Sequence, residues 1–321
     1  MRGIARQWTW GLCLLALAGC NIEVEPIGAS RDGGVRPAAR ASAMLLPPRS
    51  FDALRIASFN IQVFGESKMQ KPQVVSVLID VVRRFDVVAI QELRAADQTL
   101  IPYFVQLINA DGARYDYVVG PRLGRTSSKE QYVYLFDTAR VSLVPNSVYS
   151  INDPDDWLHR EPLVASFQTL STSNRPPFTF TLINMHTDPD ETDREMAAMA
   201  EVLPLIQNQP PYEDDVILLG DFNVDEKHLG PLASMPGVVW TIAGIPTNTR
   251  GTETYDNMIF DSRPTTEFIG RAGVMDLAAE YGLTMEETLE VSDHLPIWAE
   301  FTMHENQNAR VADRNSSGPF R

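Results

Sequence analysis

The feature that most constrains this chain is a series of short, nearly unbroken apolar runs, each meeting a residue able to bind a metal or move a proton. Residues 54–59 stop at Asn60, 87–90 at Gln91-Glu92, 178–185 at His186, and 216–219 at Gly220-Asp221-Phe222-Asn223. Asp256 stands just before the run 258–260, and Ser292-Asp293-His294 just before the run 297–302. Any one of these is an ordinary strand terminus. Together they put Asn60, Glu92, Asp221, Asn223 and Asp293 where oxygen ligands converge at one edge of the fold, a donor set suited to a hard divalent cation such as Mg2+.

Helical spacing separates the runs. Val74, Val75, Leu78, Val81, Val82 and Phe85 share one face, with Pro72 tolerated in the first turn; Leu100, Tyr103, Phe104, Leu107 and Ile108 share another, closed by Asp111-Gly112. Further strands are expected over 116–119, 131–136, 141–148 and 164–169, and a third helix over 191–206 with Asp188 or Asp190 as its cap. Strands flanked by helices once in each half predict an α+β fold: a four-layer sandwich of two packed, mainly antiparallel sheets with helices outside.

At 321 residues, 44% hydrophobic and 21% charged, the chain can bury one large core. Its formal charge of −15 argues against nonspecific adhesion to nucleic acid, although local arginines beside a bound cation can still hold a phosphate. The two cysteines, Cys13 and Cys20, both lie at the N-terminus, so the globular part has neither disulfide nor thiolate metal site. Arg2 and Arg6 precede an apolar run too short to span a bilayer comfortably, which reads as a secretory leader. That leader ends in Leu17-Ala18-Gly19-Cys20, which resembles the bacterial lipobox and implies lipidation of Cys20. The expected organisation is therefore a leader over 1–19, a lipidated cysteine and flexible linker over 20–50, a catalytic domain over 51–304 and a disordered tail over 305–321. An exported, membrane-tethered monomer facing the periplasm or cell exterior follows from this reading.

One stretch, residues 125–137 (RTSSKEQYVYLFD), fixes an acid, Glu130, at the start of an apolar strand. An acid there is either an edge solubiliser or a positioned catalytic group. The surrounding motifs bear on the choice. Ser58-Phe59-Asn60-Ile61 with Phe64-Gly65-Glu66-Ser67-Lys68-Met69, Gln91-Glu92-Leu93-Arg94, Leu123-Gly124-Arg125 with Lys129-Glu130 and Tyr132, Arg160-Glu161-Pro162, Met185-His186, Gly220-Asp221-Phe222-Asn223, Tyr255-Asp256 and Ser292-Asp293-His294-Pro296 occur in the order seen in deoxyribonuclease I. Residues 54–303 resemble that family, within the endonuclease/exonuclease/phosphatase superfamily.

The resemblance implies a metal-dependent phosphodiesterase acting on DNA. It pairs Glu130 with His186 and Asp256 with His294 as two acid/base units, either of which could activate water. Glu92 becomes the leading ligand for Mg2+ or Mn2+, with Asn60, Asp221 and Asp293 completing the site, while Arg94, Arg160 and Asn223 contact substrate. Asp156 and Glu161, with Asp153 or Asp155 nearby, would preserve part of one Ca2+ site; Ile245 replaces an acid of the other. Gln62, Ser128 and His228 stand where the family carries groove-contacting arginine and tyrosines, so the duplex affinity should be weaker or differently biased. Two alternatives remain at this level: the same scaffold acting on a lipid or sugar phosphodiester, as a sphingomyelinase does, or a catalytically silent binding module. Retention of both His/carboxylate pairs argues against the second, and the 125–132 match against the first.

Overall fold

The central strands read as unbroken apolar runs because both of their faces are covered. The computed structural model describes residues 42–125, 127–170, 173–208 and 213–306. The expected leader, Cys20, the first part of the linker and all but the first two residues of the expected tail lie outside the described residues.

In chain order the elements are β1 (Ser42–Met44), β2 (Ala53–Phe64), α1 (Glu66–Met69), α2 (Pro72–Val82), β3 (Val87–Leu93), α3 (Leu100–Ile108), β4 (Tyr115–Val119), β5 (Gln131–Asp137), β6 (Val141–Leu143), β7 (Tyr149–Ser150), β8 (Leu163–Thr169), β9 (Thr179–His186) and α4 (Thr192–Gln207). They continue with β10 (Val216–Asp221), β11 (Val238–Trp240), β12 (Asp256–Asp261), β13 (Phe268–Met275), α5 (Leu277–Tyr281), α6 (Met285–Val291) and β14 (Ile297–Thr302). One sheet has the order β1-β13-β14-β2-β3-β5-β4 and the other β11-β12-β10-β9-β8-β6, with β7 paired to β8. Among the described residues only β1–β13, β2–β3 and β9–β10 are parallel.

Alternation along each strand builds the four layers. Leu54 and Ile56 of β2 pack in the inter-sheet core with Leu182 of β9 and Ile217 and Leu219 of β10. Ala57, Phe59 and Ile61 point the other way, into a layer completed by Val74, Leu78 and Val81 of α2 and Phe104 of α3. On the far side Ile183, Met185, Val216 and Leu218 pack against Met196, Met199 and Leu203 of α4. The expected four-layer α+β sandwich is therefore the fold; α2 and α3 seal one outer apolar layer and α4 the other, while the middle layer is closed by the two sheets themselves.

Several local expectations change. The run 141–148 is not one strand: Pro145 and Asn146, the latter at φ 61°, break it between β6 and β7. α4 is capped by neither aspartate; Glu191 precedes it without a side-chain cap bond, and Asp188 instead accepts from the Asp190 N–H at 3.0 Å in a turn. The structure adds β13, whose Phe-Ile-Gly-Arg-Ala-Gly-Val-Met sequence carries a register shift between Phe268 and Arg271, and the short helices α5 and α6. β1 pairs with β13, and Leu46 is buried, so folded chain extends N-terminal of Phe51.

Two details aim the strand ends. Register shifts interrupt β2–β3 pairing between Asn60 and Phe64 and β3–β5 pairing between Ile90 and Leu93, and within them Val63 (φ 50°) and Glu92 (φ 62°) adopt the left-handed region. A valine and a glutamate held there store backbone strain, which concentrates at functional sites. Gly220, at φ 150°, runs so close to β9 that a Cβ would lie 1.8 Å from the Met185 carbonyl oxygen. Gly220→Ala should therefore force β9 and β10 apart beside His186 and Asp221, costing on the order of 3 kcal/mol, read from the urea midpoint of the purified protein.

Candidate active site

The two sheets meet at one edge, and the polar residues that end their strands interlock there. Glu130, just before β5, accepts through Oε1 from Nδ1 of His186, at the end of β9, at 2.9 Å. Asp256, opening β12, makes the same contact with His294, just before β14, at 2.9 Å. Each pair takes one member from each sheet. Each carboxylate fixes its ring through Nδ1 and leaves Nε2 for chemistry.

Both free nitrogens face one atom. His186 Nε2 lies 3.6 Å and His294 Nε2 3.5 Å from Oδ2 of Asp221. Asn60 donates to that same oxygen at 2.9 Å, and the Asn223 backbone N–H donates to the other Asp221 oxygen at 3.0 Å. Asp221 is 1% exposed, so its charge is held by these neighbours rather than by water.

Glu92 stands beside the first pair. Its Oε2 accepts from the strained Val63 N–H at 2.8 Å and lies 3.2 Å from Arg94, and its Oε1 meets the Asn60 amide at 3.4 Å. Glu92, Glu130 and His186 form one compact ligand group and Asp221, Asp256 and His294 another, each with ligand atoms within 4.8 Å of one another. Asp293 accepts from Gln62 at 2.8 Å and reaches 4.0 Å from His294 Nε2. Asn60 Oδ1 is buried with no hydrogen-bond partner among the described residues. An orphaned amide oxygen among carboxylates is a donor set that fits a hard divalent cation.

The arginines are deployed inward. Arg160 is 8% exposed; its Nε lies 2.6 Å from Glu130, and it donates to the carbonyls of His186 and Thr187 at 3.0 and 2.8 Å. An expected phosphate clamp is thus first a support for the Glu130–His186 pair. Arg94 lies 3.6 Å from Glu130 and donates to Ser128 at 3.1 Å, so the serine that replaces an expected groove tyrosine holds this arginine. Asn223 gives its side-chain N–H to the Thr187 carbonyl at 3.0 Å, fixing the chain that follows His186. Asp156 pairs with Arg125 at 3.2 Å, while His228 contacts Asp225 and His159 lies 3.3 Å from Asp188. Among the described residues, Asp156 and Glu161 do not join a compact group of three His, Cys, Asp or Glu ligands.

Electrostatics follow from this packing. Burial alone would raise the Glu130 carboxyl, but His186, Arg160 and Arg94 outweigh it and hold it below the usual range. Burial likewise opposes charge on His294, yet Asp256, Asp221 and Asp293 prevail and lift its pKa to about 10, so the shared proton stays on the imidazole. His186 is raised for the same reason, burial being overcome by Glu130 and Asp221.

The residues that sequence reasoning missed are supports. Lys68 is buried, donates to the Val291 carbonyl at 2.7 Å, and is pushed down to about 8 by burial against the pull of Asp293 and Glu92. Thr247 Oγ1 accepts from the N–H groups of Tyr255 and Asp256 at 2.9 and 3.1 Å, and Ser292 donates to the Asn60 carbonyl at 2.7 Å. Buried Glu195, from the first turn of α4, accepts from the Asp188 N–H at 2.9 Å. Lys68 and Ser292 sat in recognisable motifs; Thr247 and Glu195 gave no sequence signal, because long-range packing creates their roles.

Two imidazole–carboxylate pairs around a central aspartate, with an oxygen-rich cation cradle beside them, define a hydrolase of phosphate esters. The chain belongs to the endonuclease/exonuclease/phosphatase family, whose pattern matches residues 57–277. It is 33% identical to human deoxyribonuclease-1-like 1 over 275 residues, covering 82% of this chain and 89% of that protein. Bovine deoxyribonuclease-1 is 32% identical over 263 residues, covering 76% and 91% respectively. The human Nocturnin catalytic domain shares the fold at a TM-score of 0.54 and 15% identity, covering 78% of this chain and 93% of its own. The chain is thus an enzyme of the phosphodiesterase and nuclease type.

One pH effect follows from Glu195. Burial raises its pKa from 4.5 to about 7, against the Asp188 N–H and Arg160. A carboxyl raised on folding contributes stability that is complete below its unfolded pKa and is lost as pH rises through the folded one. Glu195→Gln should therefore flatten the fall in stability between pH 4.5 and 7, removing about 1–3 kcal/mol of it, as measured by urea unfolding across that range.

Proposed function

We propose that the chain is a divalent-cation-dependent endonuclease that hydrolyses phosphodiester bonds in DNA. The observation that carries this reading is the pair of His–carboxylate contacts at 2.9 Å, contributed from both sheets and facing one aspartate oxygen. The named deoxyribonuclease relatives, at about one-third identity across most of their length, support DNA as the substrate.

Glu92, Asn60 and Asp293 would hold the cation, Mg2+ or Mn2+; when bound, it stabilises negative charge on the phosphoryl oxygens. The chain's own groups move the protons. A phosphate lying between the imidazoles meets His186 Nε2 on one side and His294 Nε2 on the other. One nitrogen takes a proton from the attacking water as its oxygen bonds to phosphorus; the other gives a proton to the leaving oxygen as the second P–O bond breaks. Glu130 and Asp256 hold the rings and support whichever imidazolium forms. Asp221 keeps both Nε2 atoms aimed at the reaction centre. Arg160, bonded to backbone carbonyls through Nε and Nη2, would offer its remaining nitrogen to a substrate oxygen, with Arg94 reaching into the groove.

The leader and Cys20 add a second element to this reading: an exported enzyme tethered by acyl chains to a membrane and facing the periplasm or cell exterior. In that case Cys20→Ala should shift the protein from the detergent phase to the aqueous phase in a detergent partition of whole cells.

Supercoiled plasmid nicking tests the activity. With Mg2+ the purified protein should nick, and EDTA should stop it. Glu92→Ala, His186→Ala and His294→Ala should each lower the rate by at least about a hundredfold while leaving the circular dichroism spectrum and melting temperature near wild type. Near-wild-type nicking by His186→Ala would overturn the assignment. Hydrolysis of sphingomyelin in place of DNA would redirect it to a lipid substrate.

A further inference from the structure

The second sheet carries another concentration of acids at its opposite end. β10 leads to Asp221 at the catalytic edge, and the residues immediately before it are Glu213, Asp214 and Asp215, a strand length of about 20 Å away. We propose that these three residues form a second cation site, distinct from the catalytic one and built for Ca2+.

Glu213, Asp214 and Asp215 each offer an oxygen, and the three atoms lie within 4.8 Å of one another. An all-carboxylate oxygen set with no imposed octahedral geometry suits Ca2+, which takes irregular oxygen shells, better than Mg2+.

Asp215 supplies the independent observation. Its side chain is 2% exposed, and its Oδ1 has no hydrogen-bond partner among the described residues. A carboxylate oxygen that has left water and gained no donor is expensive unless a proton or a cation joins it. None of the described lysines or arginines forms an ion pair with Glu213, Asp214, Asp215 or Glu267. The charges acting most strongly on Asp215 are Glu267, Glu213, Asp214 and Glu305, all negative. Glu267 and Glu305 are themselves 1% and 5% exposed, brought to this end by the turn before β13 and the residues after β14.

Hydrogen bonds hold Glu213 and the neighbouring acids in place. Glu213 Oε1 accepts from the Asp215 N–H at 3.0 Å, Glu267 Oε1 from the Asn306 N–H at 2.6 Å, and Glu305 Oε1 from the Thr179 N–H at 3.1 Å. A cation here fixes the chain entering β10 and relieves the repulsion between Asp215 and the neighbouring Glu267 and Glu305. Its effect is on the stability of the second sheet, and the chemistry at the other end is left unchanged.

The test compares the full-length protein with a Glu213→Gln/Asp215→Asn double variant by equilibrium dialysis against radiolabelled Ca2+. The variant should bind one Ca2+ fewer per chain at saturation, and its melting temperature should rise less with added Ca2+. Mg2+-dependent plasmid nicking should remain near wild type. Asp214→Asn, at a partly exposed position, keeps the test interpretable if the double variant folds poorly, and should weaken the lost site at least tenfold. An equal number of bound ions in wild type and both variants would mean that protons alone occupy the cluster, and would overturn the proposal.

Discussion

The active edge depends on the side chain of Asn184, which sets how one sheet lies on the other. It is fully buried in the middle of the sandwich, accepts from Gln91 at 2.6 Å, and donates to the carbonyls of Ile90 and Val133 at 3.1 and 3.3 Å. An amide in that position has no water to fall back on, so sliding either sheet by one residue would leave several buried polar atoms unpaired. Tyr132 and Tyr134 add to the lock, their hydroxyls bonding β8 and β9 backbone from the opposite sheet. Apolar packing alone tolerates small shifts; these directional contacts do not. The alignment of Glu130 with His186, and of Asp256 with His294, rests on that register.

Much of the fold and most of the candidate site residues could be read in the sequence because both-face burial leaves an unmistakable apolar run and the candidate catalytic groups sit where each run stops. Asn60, Glu92, His186, Asp221 and Asp256 all occupy strand positions at or beside those stops. What could not be read has specific causes. β13 has a glycine and an arginine in its first half and a second glycine at 273, so its alternation fails where it leaves the regular ladder. Residues 141–148 look continuous because valines and leucine flank Pro145, yet the proline and the left-handed Asn146 end the strand. The Arg160 side chain is turned inward by contacts with residues distant in sequence, and no local pattern reports on that. The same holds for Lys68, whose partner carbonyl lies 223 residues away.

The acidic balance of the chain is unevenly used. At the catalytic edge carboxylates are interleaved with Arg94, Arg160, Lys68 and two imidazoles, and the pull of each sign on the other keeps the charged forms buried. At the opposite end of β10 the acids face one another. An overall negative charge therefore says little about the surface a phosphate meets, because local placement of a few cations decides it.

The shared oxygen of Asp221 also changes how protons must be counted. Both imidazoles press on the same atom, each already tied to its own carboxylate, so adding a proton to one alters the cost of adding a proton to the other. The titration of this centre consequently belongs to the ensemble of two rings and three acids, and a macroscopic pKa drawn from a pH–rate profile would describe that ensemble instead of a single histidine.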